Sequence, residues 1–176
     1  SYPIDTERFS AETTGEEPTS AGPVALFVGR FNDPRKNTPM LVEAFAEVRE
    51  RIPDAELWLI GADPDEHVSE AISTHGLEGA VTCHDRISND QRPRYYRAAD
   101  LFAIPSNQEG LAIVGLEAMA CGTPVISTRC GGPEQYVVND ETGYLVPRDD
   151  ASTMAEQIVY ILTNEDCRER LSRTSR

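Results

Sequence analysis

The chain is organised around residues 107–126, which read N-Q-E-G-L-A-I-V-G-L-E-A-M-A-C-G-T-P-V-I. Within this stretch, residues 113–120 are apolar, rich in alanine and free of proline, which predicts a helix. Gly122 and Pro124 end that helix, and the apolar pair that follows begins a buried strand. Because residues 101–105 form another apolar run, the sequence predicts a strand, a loop, a helix, a turn and a strand in succession.

Two glutamates in this stretch, Glu109 and Glu117, have seven residues between them. Glu109 falls in the loop before the predicted helix, and Glu117 lies about two turns further along. The free N–H groups of a helix N-terminus favour phosphate, and carboxylates accept hydrogen bonds from sugar hydroxyls. Each glutamate taken alone is better explained as a solvated surface residue, so a ligand site and a solvated helix both remain open.

Short apolar strands alternate with helices along the rest of the chain. Strands are predicted at residues 23–29, 56–61, 80–84, 101–104, 125–128 and 143–146. Helices are predicted at residues 38–52, 63–75, 113–120 and 150–163, with shorter ones after residues 93, 133 and 165. This alternation predicts an α/β fold, a Rossmann-like doubly wound parallel sheet of about six strands with helices on both faces.

Two helix starts are predicted from capping residues. Thr38 followed by Pro39 suits an N-cap and a first helical position. Ser88 with Gln91 three residues later has the pattern of a capping box. In the helix that follows, Tyr95 is expected to face the core.

Polar loops follow four of the predicted strands. They contain Gly29 and Arg30 after the first strand, residues 85–87 after the third, Glu109 after the fourth and residues 131–132 after the fifth. In open parallel sheets, ligands bind outside the carboxyl ends of the strands. We therefore expect all four loops at one edge of the sheet.

The loop at residues 29–36, G-R-F-N-D-P-R-K, carries three basic residues. A diphosphate needs two separated cations, and Arg30 offers a planar fork while Lys36, the sole lysine of the chain, offers a mobile point charge. Pro34 stiffens the loop between them. As a loop residue, Lys36 is expected to have little packing to lose. A solvated basic loop explains the same residues, so this alternative stays open.

Residues 109–126 resemble the E-x7-E signature of the retaining glycosyltransferases of family 4, which belong to glycosyl transferases group 1 and have the GT-B fold. The resemblance implies that Glu109 meets the donor sugar and that Glu117 holds the ribose of the nucleotide. The common family form has an aromatic residue and a glycine where this chain has Leu111 and Ala112.

Three further loops have sequences similar to motifs of this family. Residues 29–37 resemble its G-R…K-G diphosphate clamp, with Asn37 in place of the last glycine, and asparagine also tolerates a left-handed conformation. Arg86 and Ile87 occupy the place where family members meet the base through backbone atoms, although a strand-end loop explains them equally well. Residues 131–134 resemble the G-G-x-x-E turn, in which the second glycine is expected to make only a tight turn.

The resemblance implies retaining transfer from a nucleoside-diphosphate sugar, with no cofactor besides that substrate and no required metal. Arg30 and Lys36 would neutralise the leaving diphosphate and Glu109 would position the sugar, so these three are the candidate catalytic residues. The implied donor-binding residues are Gly29, Arg30, Lys36, Arg86, Ile87, Glu109, Gly110, Leu111, Ala112, Ile113 and Glu117. One alternative is a non-catalytic nucleotide-sugar-binding regulatory module. Another is a GT-B-like epimerase, although the sequence signatures of such epimerases differ from E-x7-E. The base, the sugar, the acceptor and the oligomeric state cannot be read from the sequence.

Residues 1–22 show no periodicity and are predicted to form an interdomain arm, while residues 23–176 form a nucleotide-sugar-binding Rossmann-like domain. The arm contains I-D-T-E-R-F at residues 4–9, which resembles the segment between the two domains of family 4 enzymes. Because the resemblance covers only the donor-binding C-terminal half, the expected partner is an N-terminal acceptor half of the same chain. Any membrane contact is expected through that half, and the donor half alone is expected to be inactive.

The charge of the chain limits its partners. The formal net charge of −14 argues against nucleic acid. Only one of the 16 basic residues is a lysine, and an acidic, lysine-poor surface suits a halophile because salt screens repulsion between carboxylates. A high-GC codon bias would also favour arginine. No run approaches about 18 apolar residues, and the cysteines form no C-x-x-C pair, so we expect a cytoplasmic protein with reduced thiols.

Overall fold

The computed structural model describes residues 4–12, 15–61 and 63–175, so residues 1–3, 13 and 14 of the predicted arm lie outside the described part. Six parallel strands form one sheet. The strands are β1 (Val24–Val28), β2 (Glu56–Ile60), β3 (Val81–His84), β4 (Leu101–Ile104), β5 (Val125–Thr128) and β6 (Gly143–Val146). The helices are α1 (Thr38–Arg51), α2 (Glu66–Thr74), α3 (Arg92–Ala98), α4 (Ile113–Ala120), α5 (Ala151–Thr163) and α6 (Glu165–Thr174).

The order of the strands in the sheet is β3-β2-β1-β4-β5-β6. Val24 lies opposite Glu56 on one side of β1, and Ala25 lies opposite Leu101 on the other. The order reverses between β1 and β4, so the loops that follow these two strands lead away from each other and open a crevice. The predicted doubly wound parallel α/β fold is confirmed.

Helices cover both faces of the sheet. On one face α1 packs against α2 and α5, and on the other α3 packs against α4. Phe45 and Met154 are fully buried in the first layer, and Tyr96 and Phe102 in the second. All five residues of β1 are buried. Its unbroken apolar sequence follows from this, because a strand covered on both faces has no solvent side for polar residues.

Helix α1 begins differently from the prediction. Thr38 is the first helical residue and not the N-cap, and Asn37 takes the cap position with φ 48°. The reason is the 3-10 turn Pro34–Lys36, which runs directly into Asn37 and leaves it in the left-handed region that asparagine tolerates. The Asn37 amide donates to the side chains of Asn107 and Asp149, so it ties the loop after β1 to the loops after β4 and β6.

Helix α3 refines two further predictions. Tyr95 does pack against the core, with its ring 6.0 Å from that of Trp58, but it is only half-buried. The fully buried side chain is Tyr96, which faces β4 and α4. Gln91 does accept a hydrogen bond from the N–H of Ser88, at 3.1 Å. The helix, however, begins only at Arg92, so this pair closes a turn ahead of the helix.

The described parts of the arm pack on the domain. Phe9 is buried, with its ring 6.2 Å from that of Tyr96. Glu17 lies 2.9 Å from Nε of Arg97, whose side chain is also buried. Arg97 also donates to the Ser10 carbonyl, so apolar, ionic and hydrogen-bond contacts fix the arm to α3.

Candidate functional site

Three adjoining pockets lie along the carboxyl edge of the sheet. The first, here called the β1–β3 cleft, has a volume of about 590 Å³, and among its lining residues are Gly29, Arg30, Arg86 and Ile87. The central pocket has a volume of about 260 Å³ and is lined by Arg30, Arg35, Lys36, Gln108, Glu109 and Gly110. Arg30 belongs to both pockets, so they adjoin at this side chain. The structure thus brings seven of the predicted donor-binding residues into two adjoining pockets.

The other four predicted donor-binding residues belong to α4 and its start. Leu111, Ala112, Ile113 and Glu117 do not line the β1–β3 cleft or the central pocket, although Val114 lines the cleft. Because α4 follows β4 in a parallel sheet, its N-terminus lies at the carboxyl edge. Its first N–H groups have no partner within the helix and favour an anion there.

Helix α4 starts from a strained residue. Ala112 precedes it with φ 54° and ψ 60°, in the left-handed region. A side chain with a Cβ costs roughly 1–2 kcal/mol in this conformation. The Tyr136 hydroxyl donates to the Ala112 carbonyl at 3.0 Å and helps to hold it. This conformation gives a physical reason for the glycine that is common at this position in the resembling family.

The predicted catalytic residues Lys36 and Glu109 form an ion pair. Lys36 Nζ lies 2.7 Å from Glu109 Oε1, and the Ser106 hydroxyl donates to the same oxygen at 2.6 Å. The two charged side chains are only 23% and 11% exposed. The expectation that Lys36 has little packing to lose is therefore wrong, because its side chain reaches across to the loop after β4. A phosphate that binds Lys36 must share this cation with Glu109 or displace it.

Arg30 is the more exposed cation of the central pocket. Its Nη2 lies 3.7 Å from Asp33 Oδ2, and its side chain is 73% exposed. Arg35 is bound more closely to the same carboxylate, with Nη2 at 2.8 Å. These hydrogen bonds from Arg35 lower the pKa of Asp33 to about 2. Because Asp33 already has Arg35 as its closer partner, Arg30 is the guanidinium that can turn toward a ligand at the smaller cost.

Glu117 lies behind the cleft, between α4 and α3. It is buried, and its Oε2 accepts hydrogen bonds from Arg92 Nη1 and from the Tyr96 hydroxyl, both at 2.8 Å. Burial raises the pKa of Glu117, while the bonds from Tyr96 and Arg92 act in the opposite direction. Arg92 also donates to Asn89 and lines the β1–β3 cleft. The carboxylate is thus anchored through one oxygen by residues of the next helix.

A close approach of two backbone segments fixes the position of Glu109. The Glu109 N–H donates to the Cys130 carbonyl at 2.8 Å, and the Gly132 N–H donates to the Glu109 carbonyl at 3.1 Å. A Cβ on Gly132 would overlap with the carbonyl oxygen of Gly110. Gly132 is therefore needed for this contact as well as for the turn that the sequence predicted.

Two residues of the site were missed by the sequence interpretation. Arg92 is one of several arginines in a polar stretch, and no spacing sets it apart. Ser106 carried a usable signal, because it stands at the carboxyl end of the fourth predicted strand, where ligand-side residues collect.

Within the described residues, no group of three or more His, Cys, Asp or Glu side chains is placed to hold a metal ion. All four cysteines are free thiols. None of the helices in the described part of the chain is both long and apolar enough to cross a bilayer.

Comparison with known proteins identifies the family. The sequence profile described as "Glycosyl transferases group 1" matches residues 22–164. The GDP-mannose-dependent alpha-(1-6)-phosphatidylinositol monomannoside mannosyltransferase of Mycolicibacterium smegmatis is 33% identical over 175 residues, which is 92% of this chain and 46% of that protein. The chain thus spans less than half the length of this curated relative.

Solved structures agree in fold. Sucrose-phosphate synthase from Thermosynechococcus elongatus is 36% identical with a TM-score of 0.79, and the match covers 90% of this chain and 40% of that one. Alr3699/HepE from Anabaena, solved in complex with UDP-glucose, shares the fold at 24% identity and a TM-score of 0.79, over 88% of this chain and 43% of that one. The matched fold is that of a GT-B C-terminal domain. The chain therefore belongs to the glycosyl transferases group 1 family.

Proposed function

We propose that this domain binds the nucleoside-diphosphate sugar donor of a retaining glycosyltransferase. The observation that carries this proposal is that the β1–β3 cleft and the central pocket adjoin at Arg30. A cleft of about 590 Å³ is in the size range of small-ligand sites, and the loop of Arg86 and Ile87 would meet the base there. The diphosphate would then lie beside Arg30, Lys36 and the N-terminus of α4.

The two glutamates take different parts in this proposal. A diphosphate that bonds Lys36 weakens the bond from Lys36 to Glu109, and Glu109 then turns to hydroxyls of the sugar. Glu117 keeps the hydrogen bonds from Arg92 and Tyr96 to its Oε2. Its Oε1 accepts hydrogen bonds from the ribose hydroxyls. The cations Arg30 and Lys36 neutralise charge on the leaving diphosphate, so a metal ion is not required. The retaining mode is proposed from the E-x7-E spacing of these two glutamates.

The acceptor site is proposed to belong mainly to a second domain of the same polypeptide. This is supported by the coverage of the curated relative, in which the matched region is 46% of the protein. Residues 1–22 would form the connection between the domains, and any membrane contact would lie in the other half. The 176-residue chain alone would bind the donor without transferring its sugar. A cytoplasmic location and a halophilic source are part of the same proposal, the second supported by the net charge of −14.

Thermal unfolding with a panel of nucleotides tests the proposed function. The panel contains UDP, GDP and ADP with their glucose and mannose conjugates, since a relative is named for GDP-mannose and a structural neighbour holds UDP-glucose. At a hundredfold excess over Kd, a true ligand adds about 2.7 kcal/mol to the unfolding free energy. Calorimetry with the matched nucleoside monophosphate is the control for diphosphate recognition. Unchanged melting midpoints with every nucleotide would contradict the proposal, and efficient sugar transfer by this chain alone would contradict the two-domain account.

A further inference from the structure

A third pocket lies beyond Glu109 on the carboxyl edge, on the side away from the β1–β3 cleft. It has a volume of about 770 Å³ and three arginines in its lining, so we call it the arginine pocket. Its lining includes Arg35, Asn107, Glu109, Arg129 and Arg148. Glu109 and Arg35 also line the central pocket, so the two spaces adjoin. No residue of the arginine pocket other than Glu109 has been assigned a part in donor binding.

The arginines converge because three loops are tied to one short segment, residues 107–109. The Asn107 N–H donates to the Arg35 carbonyl at 2.8 Å, and Arg148 Nη1 donates to the Asn107 carbonyl at 3.3 Å. The residue after Arg129 accepts a hydrogen bond from the Glu109 N–H at 2.8 Å. Loops that follow β1, β5 and β6 thus each bring one guanidinium to the segment that follows β4.

The charge of this pocket is opposite to that of the molecule. The lining has three guanidinium groups and one carboxylate, Glu109, which is already paired with Lys36. Arg35 is paired with Asp33, so the lining cations without a close carboxylate in the described structure are those of Arg129 and Arg148. Within the described part of the chain, the carboxylate that pairs with Arg129 is that of Glu134, at a distance of 4.0 Å. Arg148 makes no ion pair among the described residues, and it donates a hydrogen bond to the neutral Asn107 carbonyl. In a chain with a net charge of −14, such a cluster is a local site of positive potential.

We propose that the arginine pocket receives an anionic group, a phosphate or a carboxylate, that is carried by the transferred sugar or by the acceptor. This inference rests on the proposed function, because it is the sugar beside Glu109 that places the reacting centre next to the pocket. Guanidinium groups bind carboxylate and phosphate through two parallel hydrogen bonds, so they recognise both chemistries. Either the transferred sugar or the acceptor would then carry an anionic group besides the diphosphate of the donor.

Two binding experiments distinguish the source of the anion. In the donor arm, calorimetry compares UDP-glucose with UDP-glucuronate, or GDP-mannose with GDP-mannuronate where the nucleotide panel selects GDP. The members of each pair differ by the carboxylate on the sugar. In the acceptor arm, glucose 6-phosphate is compared with glucose, both with and without saturating nucleoside diphosphate. All titrations use one KCl concentration, since anion binding is screened by salt. We expect the charged member to bind at least about tenfold more tightly in one of the two arms, the scale of one charge-assisted hydrogen bond.

Arg148→Gln is the first variant, because Arg148 lies outside the donor-binding residues. It should reduce the preference for the charged ligand about tenfold and leave the affinity for the neutral one unchanged. Arg129→Gln is the second variant and should act in the same direction. Arg51→Gln is the matched control, since it removes the same charge at the end of α1, which lies at the opposite edge of the sheet. Melting midpoints confirm that each variant is folded.

The possible results separate this inference from the proposed function. If neither arm shows a preference for the charged ligand, or if the preference survives in both Arg148→Gln and Arg129→Gln, the inference is wrong. If no nucleotide binds, the proposed function is contradicted. The glucose 6-phosphate arm without nucleotide still decides the inference in that case, because only the part of its binding that Arg148→Gln and Arg129→Gln weaken is assigned to the arginine pocket.

Discussion

Ala112 holds a backbone conformation that its side chain disfavours, with φ 54° directly before α4. Ala112→Gly should raise the free energy of unfolding by about 0.5–1 kcal/mol, because the relief of the Cβ strain exceeds the added entropy of the unfolded chain. Denaturant unfolding measures this difference. Ala120→Gly in the same helix is the control, and it should lower the free energy of unfolding by about 1 kcal/mol. A destabilised Ala112→Gly would show that the left-handed conformation is not what limits this position.

Lys36 is the residue on which diphosphate recognition is proposed to depend. Lys36→Ala should weaken a nucleoside diphosphate by about 1.5–3 kcal/mol, roughly ten- to a hundredfold, and a monophosphate far less. Part of the loss is expected to come from Glu109, which is left facing the phosphates without its cation. The double variant Lys36→Ala/Glu109→Gln should therefore recover some affinity, and Lys36→Arg only part of it. Calorimetric titration of all variants with both nucleotides separates these effects. Equal, small losses for both would make Lys36 a structural ion-pair partner only.

For single residues, the sequence predicted which side chains belong to the site better than it predicted which side chains they contact. Lys36 and Glu109 were singled out separately, yet their ion pair joins loops 73 positions apart, and no local pattern encodes such a distance. The same limit explains Tyr95 and Tyr96. Both suit the interior, and only the orientation of α3 against β4 decides that Tyr96 is the buried one.

Between α3 and α4, Arg92 and Tyr96 anchor Glu117. Burial raises the pKa of Glu117 above its ordinary value of 4.5. At a pH between 4.5 and the raised pKa, the Glu117 carboxyl is protonated in the folded state and ionised in the unfolded state. Ionisation of Glu117 therefore lowers the free energy of unfolding as the pH rises through this interval. Arg92→Gln should raise the pKa of Glu117 further. The stability lost in the variant should therefore grow as the pH rises above the raised pKa of Glu117 in the folded wild type, and should reach about 2–4 kcal/mol at pH 7.

Denaturant unfolding of wild type and Arg92→Gln across this pH range measures the effect. The Tyr96 hydroxyl and the Cys121 thiol also face Glu117, but burial raises the pKa of both far above the range, that of Cys121 to about 12, so neither titrates in it. In the Arg92→Gln/Glu117→Gln double variant, the pH dependence of the difference should disappear. A loss of stability that is independent of pH would mean that Arg92 acts by packing alone.

The loops after β4 and β5 depend on Gly132 for their contact. In Gly132→Ala the new methyl would overlap with the Gly110 carbonyl, so the two loops must separate. We expect the free energy of unfolding to fall by about 1–3 kcal/mol. Nucleoside diphosphate affinity should fall as well, because the displaced Gly110 loop leads into the N-terminus of α4, beside which the diphosphate is proposed to lie. Gly79→Ala is the control, since its Cβ would meet nothing within 4 Å, and it should change stability by less than about 0.5 kcal/mol.

The six-stranded sheet could be predicted from the sequence because a local pattern of residues indicates each of its strands. Each strand is a short apolar run between turn residues, and the rule that ligands bind at carboxyl ends collected Arg30, Arg86 and Glu109 at one edge. The arginine pocket was not foreseen. Arg129 and Arg148 follow the last two strands and look like ordinary charged loop residues. They meet only because β5 and β6 lie next to β4 in the sheet, which alternation alone does not specify.

The charge of the whole molecule leads to the last prediction, that its stability increases with salt. Thirty acidic residues against 16 basic ones leave −14, and most of this charge is on the surface, where it opposes the compact state. Raising KCl from about 0.1 M to 1 M shortens the screening length from about 10 Å to about 3 Å, so the melting midpoint should rise.

The effect of charge screening saturates once the screening length is shorter than the spacing of neighbouring surface charges. The midpoint should therefore level off near 1 M, whereas exclusion of salt from apolar surface would keep raising it. Sucrose provides the comparison, because it is excluded from the surface without screening charge, and it should not reproduce the steep rise at low concentration. A midpoint that stays constant or falls between 0.1 M and 1 M KCl would contradict the proposal of a halophilic source.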